Sequence, residues 1–182
     1  MTATMTHAHT PITTFALATY ETPIGRMLIA TDEDGAVRAL DWEDYEARMH
    51  RLLRLHYGTA HLHEGALPSA VRDALDAYLG GELGALEGIV VRTGGTVFQR
   101  AVWAGLRAIP AGQAWSYADL AAFIGRPRAV RAVGAANGAN PVGVIVPCHR
   151  VIGADRALTG YGGGLERKRW LLRHEGVTFR DG

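Results

Sequence analysis

The 182-residue chain reads as a two-part α+β/α protein: an amino-terminal antiparallel sheet with helices, then a mainly helical carboxy-terminal part. That second part carries a helix-turn-helix and a short strand leading to the only cysteine. Three observations predict this. Strand-like runs joined by short turns open the chain. Beyond Gly94-Gly95 the pattern changes to helical periodicity with two capping-box signatures. The charge divides at the same place. Residues 1–91 hold six arginines against thirteen carboxylates, a net −7, whereas residues 92–182 hold thirteen basic against five acidic residues, a net +8. Such an asymmetry points either to a polyanion partner for the second part or to attraction between the two parts.

Residues 1–12 are expected to be a flexible terminus, with His7 and His9 frayed rather than metal-bound. They show neither a basic nor an apolar leader region, and no apolar run reaches a bilayer span, so a soluble cytoplasmic protein without membrane contact is expected. Residues 13–91 form the first domain. Runs at 13–20, 24–31 and 36–42 are strands, and the turns Thr22-Pro23 and Asp32-Glu33-Asp34-Gly35 make them an antiparallel meander. A helix follows over 43–56, with Tyr45, Met49, Leu52, Leu53 and His56 on one stripe. His56, His61 and His63 lack a carboxylate or thiolate at ligand spacing, so no metal site is expected. Pro68 opens a second helix, and Gly80-Gly81 stops it.

The second domain spans 92–182. Thr96 with Gln99 caps a helix burying Phe98, Val102, Leu106 and Ile109, which Pro110-Ala111-Gly112 ends. Ser116 with Asp119 repeats the device for a short helix to Ile124. Gly125-Arg126-Pro127 then turns the chain into a helix over 128–138. This last helix is rich in residues almost without side chains, among them Ala132 and Gly134, and ends on Asn137-Gly138. Arg128 and Arg131 stand three apart and share a face. Small residues permit close approach to a helix or to a nucleic-acid groove, and the pattern alone leaves both open.

Val144-Ile145-Val146 reads as a buried strand that Pro147 must end, which places Cys148 at its terminus. A thiol is nucleophilic only as thiolate, and His149 or Arg150 could favour that form. A lone cysteine is otherwise a small buried hydrophobe. Neighbouring side chains diverge in extended chain, so His149 needs a bridging water or a local turn to act on Cys148. One cysteine excludes an internal disulfide and any zinc site built on several thiolates. Further on, Gly160, Gly162, Gly163 and Gly164 suggest backbone close to a ligand or a flexible linker. A final helix over 165–174 carries Arg167-Lys168-Arg169, with Glu175 at its end before Gly176.

Pro147-Cys148-His149-Arg150, with Ser116-Tyr117, Arg131-Ala132-Val133-Gly134 and Asn140-Pro141 before it and Thr159-Gly160-Tyr161 and Glu175-Gly176 after it, resembles the O6-alkylguanine-DNA alkyltransferases. The resemblance runs over residues 95–176, and it lies in the order and spacing of the motifs. It implies direct reversal of damage: the alkyl group on guanine O6, and on thymine O4, moves irreversibly to Cys148, with no cofactor and no metal. It implies His149 as a base acting through water, Glu175 as the carboxylate orienting it, and Tyr117 as the group that hydrogen-bonds or protonates the guanine ring. Backbone carbonyls at Cys148 and Val151 would accept the exocyclic amine. Arg131 would fill the gap left by a flipped base, and Ser116, Arg128, Ala132, Gly134 and Asn137 would contact DNA through the minor groove. Asn140 would be a hinge. Tyr161, Gly162 and Gly143 would line the pocket, where some members have serine in place of Gly162 and proline in place of Gly143.

The implied partner is double-stranded DNA bearing alkylated guanine, bound by a monomer that can cluster along DNA. Two other classes compete: a lesion-sensing helix-turn-helix protein without alkyl transfer, and a cysteine hydrolase, which would turn over and keep no adduct.

Overall fold

A computed structural model describes residues 13–181; the expectations for residues 1–12, His7 and His9 included, lie outside the described residues. Strands β1 (Thr13–Thr22), β2 (Gly25–Thr31) and β3 (Val37–Trp42) form the expected meander. A fourth strand, β4 (Ala60–Glu64), pairs in parallel with β1 and completes the order β3-β2-β1-β4. Nothing local signals β4, because Ala-His-Leu-His-Glu is polar and has no β-branched residue; its pairing with β1 places Leu62 opposite Phe15. His61 and His63 lie on this strand, and His56 packs on Trp103 instead.

The helix expected over 43–56 begins as a 3₁₀ turn and continues as α1 (Glu46–Tyr57), which buries Met49, Leu52 and Leu53. Helix α2 (Ser69–Leu79) buries Val71, Leu75 and Tyr78. In the second part stand α3 (Val97–Ala108), β5 (Trp115–Ser116), α4 (Tyr117–Phe123), α5 (Val130–Gly138), β6 (Val151–Ile152) and α6 (Leu165–His174). Both capping boxes form. β5 and β6 pair in parallel. Helix α5 starts two residues later than expected, because Ala129 donates to the Arg126 carbonyl in a turn that leaves Arg128 ahead of the helix.

Helices α3, α4 and α5 make the helix-turn-helix bundle. A Cβ on Gly105 would press on Leu120 and Ile124, so the glycine sets how closely α3 and α4 pack. Trp103 Nε1 donates to the Ala136 carbonyl at 2.9 Å and ties α5 to α3. One apolar core runs through both parts, joining Trp42, Leu75 and Tyr78 to Leu106, Val142, Val151 and Leu171. No helix among the described residues is long and apolar enough to cross a membrane.

The open edge of β3 explains how the cysteine is placed. Val37 exchanges hydrogen bonds with Val90 and Arg92, and further along Leu40 donates to the Pro141 carbonyl (2.9 Å) and accepts from Gly143 N–H (3.1 Å). Edge groups that would otherwise need solvent are thereby satisfied by the chain that approaches Cys148.

The expected strand at Val144-Ile145-Val146 does not form. Only Val142 bridges to Leu40; beyond it Ile145 N–H bonds back to Gly143 and Val146 N–H to Val142, a tight turn with Val144 at φ +67°. The run is fully buried, as its composition demands, but burial alone does not distinguish a strand from a buried turn. A β-branched residue in the left-handed region is sterically costly, so the surrounding core must hold it there.

Candidate active site

Pro147 sits at φ −82°, ψ 65°, with Cys148 N–H bonded to the Val146 carbonyl at 2.8 Å: an inverse γ-turn. Asn140 braces it, donating from Nδ2 to the same carbonyl at 2.8 Å and accepting Val142 N–H on Oδ1 at 3.0 Å. The hinge expected at Asn140 therefore links the end of α5 to the turn before the cysteine. Cys148–Arg150 then forms one turn of 3₁₀ helix, the local turn that adjacency in sequence required.

Within that turn every side chain is buried; Cys148 is 7% exposed and His149 0%. His149 Nε2 lies 2.9 Å from Glu175 Oε1. Arg150 donates to both Glu175 oxygens at 2.9 Å and to the Ile109 carbonyl at 2.7 Å. Burial alone would raise the Glu175 carboxyl, but His149 and the fixed Arg150 charge override it and hold the group well below the usual carboxylate range. Burial pushes His149 below its ordinary range more than Glu175 raises it, so the ring is neutral near pH 7. An ionised carboxylate only accepts, so the proton resides on Nε2 and Nδ1 keeps a free lone pair. Nδ1 is buried and has no partner among the described residues.

Burial likewise raises the Cys148 thiol, against the opposing pull of Asn140, Lys168 and Arg48. The resting group is the thiol, and reaction requires a base. Lys168 and Arg48 were not singled out from the sequence. Lys168 is fully buried, bonds to the Val151 carbonyl at 2.6 Å, and is pushed down to about 8 by burial. Arg48 reaches in from α1, paired with buried Asp41 at 2.8 and 2.9 Å. A lysine in a basic helix and an arginine on a mixed stripe carry no local signal of burial beside a thiol.

The pocket residues are adjusted accordingly. The two carbonyls expected to receive the guanine amine are each already engaged, Cys148 O by Val151 N–H and Val151 O by Lys168, leaving one lone pair apiece. Gly143 spends its N–H on Leu40, a bond that proline could not make. Tyr161 carries a buried hydroxyl without a partner among the described residues. Tyr117 OH meets Thr159 Oγ1 at 2.9 Å, and Gly134 lies against the Tyr117 ring. A Cβ on Gly162 would coincide with the Arg48 guanidinium. Gly162→Ser is therefore expected to displace Arg48 from Asp41 and cost about 1–3 kcal/mol, read by denaturant unfolding. In an Arg48→Ala background the same substitution should cost far less.

On α5, Arg131 and Ala132 are exposed, and Arg128 is exposed in the preceding turn. Asn137, expected to face DNA, is buried instead, with its Oδ1 unpartnered. It falls on the side of α5 that carries Val133 and Ala136 into the core. Ser116 spends its hydroxyl on the Asp119 capping box.

Residues 97–177 match the 6-O-methylguanine DNA methyltransferase, DNA binding domain, and residues 16–93 match the ribonuclease-like domain of the same family. The chain belongs to the 6-O-methylguanine DNA methyltransferase family. A methylated-DNA--protein-cysteine methyltransferase of Salmonella typhimurium is 52% identical over 164 residues, covering 87% of this chain and 94% of the relative. One from Methanosarcina acetivorans is 40% identical over 159 residues, covering 87% and 97%. Among solved structures, the Mycobacterium tuberculosis protein in complex with DNA superposes with a TM-score of 0.73 at 41% identity, over 89% of this chain and 92% of that one. As a family member the chain is a cysteine-directed methyltransferase of direct-reversal repair, and the lesion sensor without transfer is set aside.

Proposed function

We propose that Cys148 takes the alkyl group from O6-alkylguanine in double-stranded DNA, and from O4-alkylthymine by the same displacement, once per protein molecule. The observation that carries this reading is the buried His149–Glu175 pair, with Nδ1 free, directly after the only thiol in the chain. The thiol proton passes through a water to His149 Nδ1 while Glu175 steadies the imidazolium that forms. The sulfur attacks the alkyl carbon, the C–O6 bond breaks, and its electron pair leaves on guanine. Tyr117 hydrogen-bonds or protonates the departing ring. The product is a thioether, whose C–S bond water does not cleave, so the alkyl group stays on the sulfur.

Because O6 is hidden in stacked duplex, the base must be flipped out, and Arg131 fills its place from the exposed face of α5. Ala132 beside it lets the backbone approach a narrow groove. Incubation with a duplex holding one O6-methylguanine, followed by peptide mass spectrometry, tests the assignment: a lasting methyl adduct on Cys148 is expected, and turnover without adduct would mean a hydrolase.

Arg131→Ala should impair transfer from duplex about tenfold for each ~1.4 kcal/mol of lost compensation, while sparing free O6-benzylguanine, which needs no flipping. Rates on both substrates, with DNA saturating and salt fixed, give the ratio. Equal losses would remove Arg131 from this role.

A further inference from the structure

We propose that Tyr78, supplied by the amino-terminal half, is a positioning residue of the transfer reaction that sets the strength of the His149–Glu175 contact. The inference rests on the reading of His149 as the base and extends it to α2, a helix not yet given a share in the chemistry.

Tyr78 lies on α2, is 1% exposed, and donates its hydroxyl to Glu175 Oε1 at 2.7 Å across 97 positions of sequence. Oε1 is the oxygen that also accepts His149 Nε2 and Arg150 Nη2, both at 2.9 Å. Three donors therefore share one oxygen, while Oε2 receives only Arg150 Nε. Donors on one carboxylate oxygen compete for its electron density, so removing the phenol leaves Oε1 more basic toward those that remain. The His149 N–H is the remaining donor whose proton affinity matters for the thiol.

The phenol is well placed for this because its ring is held independently. It packs edge-on against His174, with centroids 5.1 Å apart, and the Tyr78 carbonyl accepts from His174 Nε2 at 2.7 Å. Phenylalanine would keep the ring, the edge-on contact and the backbone bond, losing only the hydroxyl. The titratable and charged groups around the pair are Arg150 and Cys148 on the same turn, Lys168 and His174 from α6, and Tyr161 from the glycine-rich loop. Of these only Arg150 also bonds Glu175.

The experiment is the pH dependence of transfer from free O6-benzylguanine, which removes DNA binding from the measurement, for the wild type, Tyr78→Phe, Glu175→Gln and the double variant. For Tyr78→Phe we expect a rate about threefold lower on the acid limb of the profile and little changed well above its midpoint. Its pH midpoint should rise by about half a unit, the direction in which a more basic Glu175 holds the His149 proton. Adding Tyr78→Phe to Glu175→Gln should change neither rate nor midpoint further. A Tyr78→Phe profile identical to wild type, with the Glu175→Gln profile shifted, would overturn the role of Tyr78 and leave the base reading standing. Unshifted profiles in both single variants would overturn the base reading, and this proposal with it. A slower Tyr78→Phe protein whose midpoint is unmoved would reduce the residue to packing, and likewise overturn the proposal.

Discussion

Cys148→Ala should transfer no alkyl group at all, yet bind duplex containing O6-methylguanine at least as long as the wild type does. The expected loss is complete because the sulfur is the bond-forming atom, and the nearby groups that could deprotonate or steady it have nothing to act on. On the proposed reading affinity comes from elsewhere, from Arg128, Arg131 and Ala132, which are exposed on and before α5. The truncation removes one atom from a buried site, so folding should change by only about 1 kcal/mol. Intact mass after incubation and band-shift lifetime on the same duplex check both halves of the expectation. Any adduct on the variant would mean that another side chain is the acceptor.

Glu175→Ala should severely damage stability. Glu175 accepts from Tyr78, His149 and Arg150, all buried, and its removal strands a guanidinium that is 6% exposed. Breaking a buried ion pair by deleting one partner costs about 3–5 kcal/mol, and the Tyr78 and His149 donors lose their acceptor as well. Glu175→Gln keeps an acceptor in place and should cost less, while still slowing transfer. The acid limb adds a second readout. Glu175 is held below its ordinary carboxylate value and His149 below its ordinary imidazole value, so in the acid range the unfolded chain binds more protons than the folded one. Stability should therefore rise with pH through the acid range, with the Glu175 share present above about 4.3 and lost as pH falls through its folded value. Urea unfolding across pH should show a shallower acid slope in Glu175→Gln. A Glu175→Ala protein as stable as wild type would mean that Arg150 finds other support, and that the carboxylate does not frame the site.

By itself the sequence determined the features that short-range physics controls. The capping boxes at Thr96 and Ser116, the meander set by Thr22-Pro23 and Asp32-Glu33-Asp34-Gly35, the stop at Gly176 and the division of charge all follow from a few adjacent residues. The motif around Cys148 was legible too, since its members keep fixed order and spacing. Tertiary structure decided the features that depend on distant partners. Val144-Ile145-Val146 is turned rather than extended because the β3 edge captures the chain at Val142 and the core closes over these three side chains. The polar run at β4 becomes a strand because β1 offers an edge. Asn137 faces inward because Trp103 and the α3 packing select which side of α5 is buried. Tyr78 and Arg48 reach the site only once the two halves share a core, and Lys168 only once α6 packs against the strand after Cys148. A hydrogen bond spanning 97 residues leaves no periodicity in the sequence from which it could be read.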